Sequence, residues 1–105
     1  MPSESAIRAL IDADPNDPFG WYALGIEFRR LARFSEAREA FHTSLNHDEN
    51  QPYAWFQIAQ ILDEEGLNPD ALTAARNGLS RANAMGDPKA SGELAGLVDQ
   101  LESGN

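Results

Sequence analysis

Three groups of residues have side chains that could do chemistry; two fail on spacing and the third reads as a solvated helix end. His42 and His47 are the two imidazoles of the chain. They stand five apart, so they do not share a helix face and make a poor metal pair. Asp12-x-Asp14-x-Asn16 opens like a calcium loop. Such a loop needs Gly for its sharp turn and a closing bidentate Glu; Asp17 and Ala23 stand at those places. Asp63-Glu64-Glu65 gathers three carboxylates, the composition of a solvated helix end. No phosphate-cradling loop or nucleophile motif is present, and without cysteine there is no thiolate or disulfide chemistry. The expectation is a protein that is not an enzyme and that uses no metal and no cofactor.

The side chains that remain must serve packing or recognition. The 105 residues suit one domain, and 42% are hydrophobic, enough for a real core. No apolar run reaches the length of a membrane span. Met-Pro-Ser-Glu-Ser at the start lacks the basic and apolar regions of a signal peptide. The chain is therefore expected in the cytoplasm, with no membrane attachment. Its net charge of −9 argues against a nucleic-acid footprint, which requires cations to neutralise phosphates, and favours solubility or a basic partner. Seven of the eight bases are Arg, Lys89 being the exception. That bias points to a GC-rich bacterial genome, and the acid excess to a salt-adapted host.

The elements that position the side chains come from an internal repeat. A shift of 34 lays Asp14-Pro15-Asn16-Asp17-Pro18-Phe19-Gly20-Trp21 on Asp48-Glu49-Asn50-Gln51-Pro52-Tyr53-Ala54-Trp55. The match runs on through Tyr22/Phe56, Leu24/Ile58, Gly25/Ala59 and Phe28/Leu62. It resumes at Ala37/Ala71, Ala40/Ala74 and Leu45/Leu79. Trp21, Leu24, Gly25 and Phe28 follow i, i+3, i+4, i+7, one face of a helix. Ala37, Ala40, Phe41, Ser44 and Leu45 do the same for a second helix, the break falling at Arg33-Phe34-Ser35. Asp17-Pro18, Asn68-Pro69 and Asp87-Pro88 each read as a capping side chain followed by Pro at the first helical position. Gly66 reads as a stop. Trp21 and Trp55 are expected to fill the core.

Trp21-x2-Leu24-Gly25-x2-Phe28, then Ala37 and Phe41, resembles the tetratricopeptide repeat (TPR), whose pattern is W-x2-L-G-x2-Y…A-x3-F…P. Leu31 to Ala37 also looks like that family's hairpin turn. The second copy keeps Trp55, Ile58, Ala59, Leu62, Gly66 and Ala71, but Ala75 replaces the aromatic. The closing Pro is present as Pro15 before the first repeat, whereas Glu49 and Asn83 stand there after the first and second. The resemblance implies an all-α fold, a right-handed superhelix of TPR-like hairpins with about six helices. A single domain over 1–105 would divide into a half-repeat helix at 3–13, repeats at 18–51 and 52–85, and a capping helix at 88–102. The first segment lies in phase with the second helix of a hairpin, through Ala6/Ala40/Ala74 and Ile11/Leu45/Leu79. The last is two residues out of phase. Setting Pro88 level with Pro52 places Leu94, Ala95 and Val98 in register with Ile58, Ala59 and Leu62, and puts Ser91 at the Trp position.

In this family the first helix of each hairpin lines a concave binding face. The resemblance therefore implies a peptide-binding groove of Tyr22, Ile26, Arg29 and Arg30, then Phe56, Gln60, Asp63 and Glu64, then Gly92, Gly96, Asp99 and Gln100. Phe19, Tyr53 and Lys89 stand at its rim. Phe19, Tyr22, Tyr53 and Phe56 would either anchor a partner or pack between helices. Gly92 and Gly96 would either leave room for a ligand backbone or mark an end helix of low propensity. Arg29 and Arg30 correspond to Asp63 and Glu64. They would either grip a peptide charged at both ends or pair with those acids, each exposed pair contributing under about 1 kcal/mol. Some TPR domains hold a chaperone's terminal carboxylate with a Lys and an Asn, but Tyr22 and Ile26 occupy those places. The function expected is an adaptor that binds an unknown protein or peptide, as a monomer or weak homo-oligomer. The alternative is an assembly protein that forms homo-oligomers through its open ends or aromatic edges.

Overall fold

The structure, a computed structural model, describes residues 3–104. Among them are six helices and no strand: α1 (Glu4–Ala13), α2 (Pro18–Arg30), α3 (Phe34–His47), α4 (Pro52–Glu64), α5 (Asn68–Met85) and α6 (Pro88–Ser103). This is the all-α hairpin architecture expected. No helix among the described residues is long and apolar enough to cross a membrane. The chain divides into two compact units between Glu49 and Asn50.

In the first unit α2 packs against α1 and forms a hairpin with α3. The periodic residues of α3 (Ala37, Ala40, Phe41, Ser44 and Leu45) are all buried. α2 buries Leu24, Gly25 and Phe28 of the expected face, together with Gly20 and Glu27. Ile7 and Ile11 are the buried residues of α1. Trp21, expected in the core, is only half-buried. Its indole N–H donates to the Pro15 carbonyl at 2.9 Å, which holds the ring edge at the loop. The fully buried large side chains here are Phe41, Ile7 and Glu27.

In the second unit α5 packs against both α4 and α6, and α6 also touches α4. α6 buries Ala90, Leu94, Leu97, Val98 and Leu101 along one side. Ala82, Ala90 and Leu94 form a cluster against which Tyr53, Phe56 and Leu79 pack. Trp55 too is half-buried rather than central. Its Cβ lies so close to Gly78 that a Cβ added there would stand 2.8 Å away, 3.2 Å from the Pro52 carbonyl. One repeat earlier, Ser44 occupies that register and donates from Oγ to the Pro18 carbonyl at 2.8 Å.

Turn chemistry sets the helix ends. Ser3, Asp17 and Asp87 accept at helix N-termini from Ala6, Phe19 and Ala90. Asn68 does not cap. α5 starts at Asn68 itself after an uncapped Leu67, and the Asn68 amide instead donates to the Leu101 carbonyl of α6 at 3.2 Å. At the other ends, Ala32, Gly66 and Gly86 hold φ of 57°, 79° and 67°. Each is followed by paired bonds back into its helix, for instance Gly66 N–H to Asp63 O and Leu67 N–H to Leu62 O, the Schellman pattern. Gly66 is thus the stop expected of it, and Ala32 fills the same role without glycine's freedom.

Candidate functional site

The expected groove residues are distributed over the first-type helices of the two units. In the first unit Phe19, on the first turn of α2, is 65% exposed. Tyr22 is half-buried and meets the buried Phe41 ring edge-on, with centroids 5.3 Å apart. Ile26 and Arg29, one turn and two turns on, are half-buried. Arg30 ends the helix and binds a carboxylate within it. Its Nε donates to Glu27 Oε1 at 2.6 Å, with a second guanidinium nitrogen at 2.5 Å from the same oxygen.

Glu27 is the residue that sequence reasoning missed. It is 1% exposed and belongs to the core of its helix. The signal was present: Glu27 falls in register with Ile61, also fully buried, and stands three residues before Arg30. A carboxylate taken that far from water needs a charged partner, and Arg30 supplies it.

In the second unit Tyr53 and Phe56 lie edge-to-face, with centroids 6.4 Å apart, on the Ala82–Ala90–Leu94 cluster. Both rings are half-buried. Gln60 and Asp63 are half-buried further along α4, and Glu64 is exposed at its end. On the neighbouring α6, Gly92 and Gly96 stand with open space beside them: a Cβ built on either would meet nothing within 4 Å. No packing contact demands glycine there. Lys89, Asp99 and Gln100 are exposed on the same helix, and Lys89 lies 3.9 Å from Glu93.

A further concavity lies in the first unit between α1 and α3. It is a cleft of about 190 Å³ floored by Trp21, Leu24 and Phe28, with Arg8, Glu39 and Ala40 among its walls. Beside it Arg33 bridges the elements, with one nitrogen 2.9 Å from Glu4 of α1 and two nitrogens forked onto Glu36 at 2.8 and 2.6 Å. The Arg33 guanidinium sits over the Phe28 ring at 4.5 Å and that of Arg8 at 5.9 Å. Arg8 also binds Glu4 at 3.0 Å. These hydrogen bonds, Arg8's first and then Arg33's, hold the Glu4 carboxyl below its ordinary value. His42, on the outer side of α3, is pushed below its own, first by partial burial and then by the Arg38 charge. Among the described residues no group of three or more acidic, His or Cys side chains is placed to hold a metal ion.

Solved structures with this arrangement exist. PcrH in complex with the chaperone-binding region of PopD superposes with a TM-score of 0.88 at 17% identity, over 95% of this chain and 76% of that one. The TPR2B domain of yeast Sti1, in a complex with pHsp70, gives 0.89 at 17% identity, over 97% and 82%. A tetratricopeptide repeat domain protein from Salinibacter ruber gives 0.77 at 22% identity, over 85% and 100%. The fold is that of the TPR proteins. At these identities the likeness is one of fold. No family model matches the chain, and no curated protein matches it in sequence. α2 with α3 and α4 with α5 pack as helical hairpins, each within its own unit.

Proposed function

We propose that this TPR-like chain is a non-catalytic adaptor of the bacterial cytoplasm that binds a peptide or protein segment on its first-type helices. The carrying observation is the bare surface of α6. Gly92 and Gly96 occupy the register of Tyr22 and Phe56, and of Ile26 and Gln60, yet face open space. Each glycine costs its helix about 1 kcal/mol relative to Ala, and no contact among the described residues needs either. Room for a ligand backbone beside α4, with Gln60, Asp63 and Glu64 as its polar partners, accounts for that cost. Phe19, the most exposed aromatic of the first-type helices, offers a separate anchor within the first unit. Two structures of the same fold carry a chaperone-binding region and pHsp70 in their complexes, which supports a segment as ligand. The division into repeats at 18–51 and 52–85 and the remaining groove residues belong to this proposal.

The test is a comparative capture from the source organism's lysate, read by mass spectrometry. Gly92→Leu with Gly96→Leu should retain or raise stability and lose the prey held by the wild type. Phe19→Ala should weaken capture without loss of helicity. Prey retained in full by the two-leucine variant would overturn the reading.

A further inference from the structure

The cleft between α1 and α3 uses none of the residues assigned to the groove. Its floor is the Trp21 indole, Leu24 and the Phe28 ring, and Ala40 flanks it, so its base is apolar and aromatic. A volume of about 190 Å³ has room for one long side chain and not for a helix.

The charges around it do not cancel. Arg8 is paired with Glu4, and Arg33 with Glu4 and Glu36. That leaves Glu39. Its backbone carbonyl accepts from Thr43 Oγ1 at 3.0 Å, but its carboxylate makes no ion pair among the described residues. Two cations against three carboxylates leave one negative charge on the wall of an aromatic-floored cleft. The molecule already shows what such a ring accepts, since Arg33 holds its guanidinium 4.5 Å from the Phe28 centroid. A cation on a long apolar stem meets all of these features. The stem lies on Trp21 and Ala40, and the charge lies at Glu39. The chain's net charge of −9 draws such a group in. One repeat on, the register positions of Glu39 and Phe28 hold Thr73 and Leu62, so the combination occurs once.

We propose that this cleft is a second recognition site, taking a single Arg or Lys side chain of a partner protein. It stands independently of the groove reading, because the two share no residue.

The probe is N-acetyl-arginine amide, titrated into the ¹⁵N-labelled chain at low salt. The Trp21 indole N–H and the Ala40 and Thr43 amides should shift and saturate together, while the amides of α6 stay still. N-acetyl-norleucine amide, which has a stem and no cation, should leave them unmoved. Glu39→Gln should weaken binding roughly two- to fivefold, the range an exposed ion pair supports. Glu93→Gln, an acid of the other unit, should change nothing. Equal shifts with the norleucine probe, an unchanged affinity in Glu39→Gln, or shifts confined to α4 and α6 would each overturn the proposal. Because Glu39 lies at the surface, circular dichroism of the variant should match the wild type.

Discussion

The Phe41 ring lies where a side chain on Gly25 would stand: a Cβ built on Gly25 would be 2.7 to 2.8 Å from three atoms of that ring. Both residues are buried, so the two helices of the first hairpin approach closely only because one of them has no side chain at the crossing. The second hairpin solves the same crossing with different sizes. Gly25 becomes Ala59 and Phe41 becomes Ala75, each fully buried. The lost aromatic is matched by a gained methyl group.

The size exchange predicts a coupled pair. Gly25→Ala should cost about 1–3 kcal/mol from overpacking, set against about 1 kcal/mol of helix propensity gained. Phe41→Ala should cost about 3–5 kcal/mol. The double variant, which copies the second hairpin at this point, should cost less than the two added, with a coupling of about 0.5–3 kcal/mol. Urea denaturation of the four proteins measures it. Strict additivity would show that the ring and the glycine do not compete for the same space.

Ala32 predicts a stabilising change. It holds a left-handed conformation at φ 57° that a Cβ disfavours by roughly 1–2 kcal/mol. Ala32→Gly should recover about 1 kcal/mol, less the extra freedom glycine gains in the unfolded chain. Gly66 stands in register one repeat later at φ 79°, and a Cβ there would meet nothing within 4 Å. Gly66→Ala should therefore lose a similar amount, through the backbone alone. A rise in thermal midpoint for the first and a fall for the second is the expected result.

Most of the fold could be read in the sequence because repetition doubles each signal. Trp21/Trp55 and Leu24/Ile58 mark the same face twice, so a periodicity that one copy leaves ambiguous is resolved by the other. What could not be read were sizes and hydrogen-bond destinations. Asn68 before Pro69 has the composition of a cap, but its amide is taken by the Leu101 carbonyl of α6, 33 residues away. Trp21 has a large apolar surface, yet its N–H binds the Pro15 carbonyl and keeps the ring at the edge. Glu27 puts a charge at the core position that Ile61 holds one repeat later, and it is the hydrogen bond from Arg30, not an apolar side chain, that lets it stay there. The cleft between α1 and α3 draws residues from three helices, and no spacing within one helix announces it.

Stability should fall in two stages on acidification. His42 has its folded value held below its ordinary 6.5. The unfolded chain therefore takes up the proton first, and stability declines as pH drops from about 6.5 through the folded value. Glu4 is held below 4.5, so the stabilisation from its contacts with Arg8 and Arg33 is present at neutral pH and is lost as pH drops below about 4.5. Urea midpoints taken across a pH range of about 3 to 8 should show both declines. His42→Gln should remove the upper one and Glu4→Gln the lower, and the His42 ring resonances should titrate below 6.5.

The buried Glu27 makes the sharpest claim about what holds the first unit together. Its carboxylate is 1% exposed, while the guanidinium that neutralises it belongs to a side chain 57% exposed. Removing the partner leaves a charge in the core, so Arg30→Ala should destabilise the chain by about 1–3 kcal/mol, less than a fully buried pair would lose because Arg30 is largely in water. Removing the charge and filling the space is different. Ile61 holds the same register in the second repeat with no exposure, and replacement of a buried ion pair by apolar residues of similar volume is often neutral or stabilising. Glu27→Ile should therefore cost less than Arg30→Ala. In the Glu27→Ile background, Arg30→Ala should cost almost nothing. A large penalty for Arg30→Ala in that background would show that the arginine stabilises α2 through contacts other than Glu27.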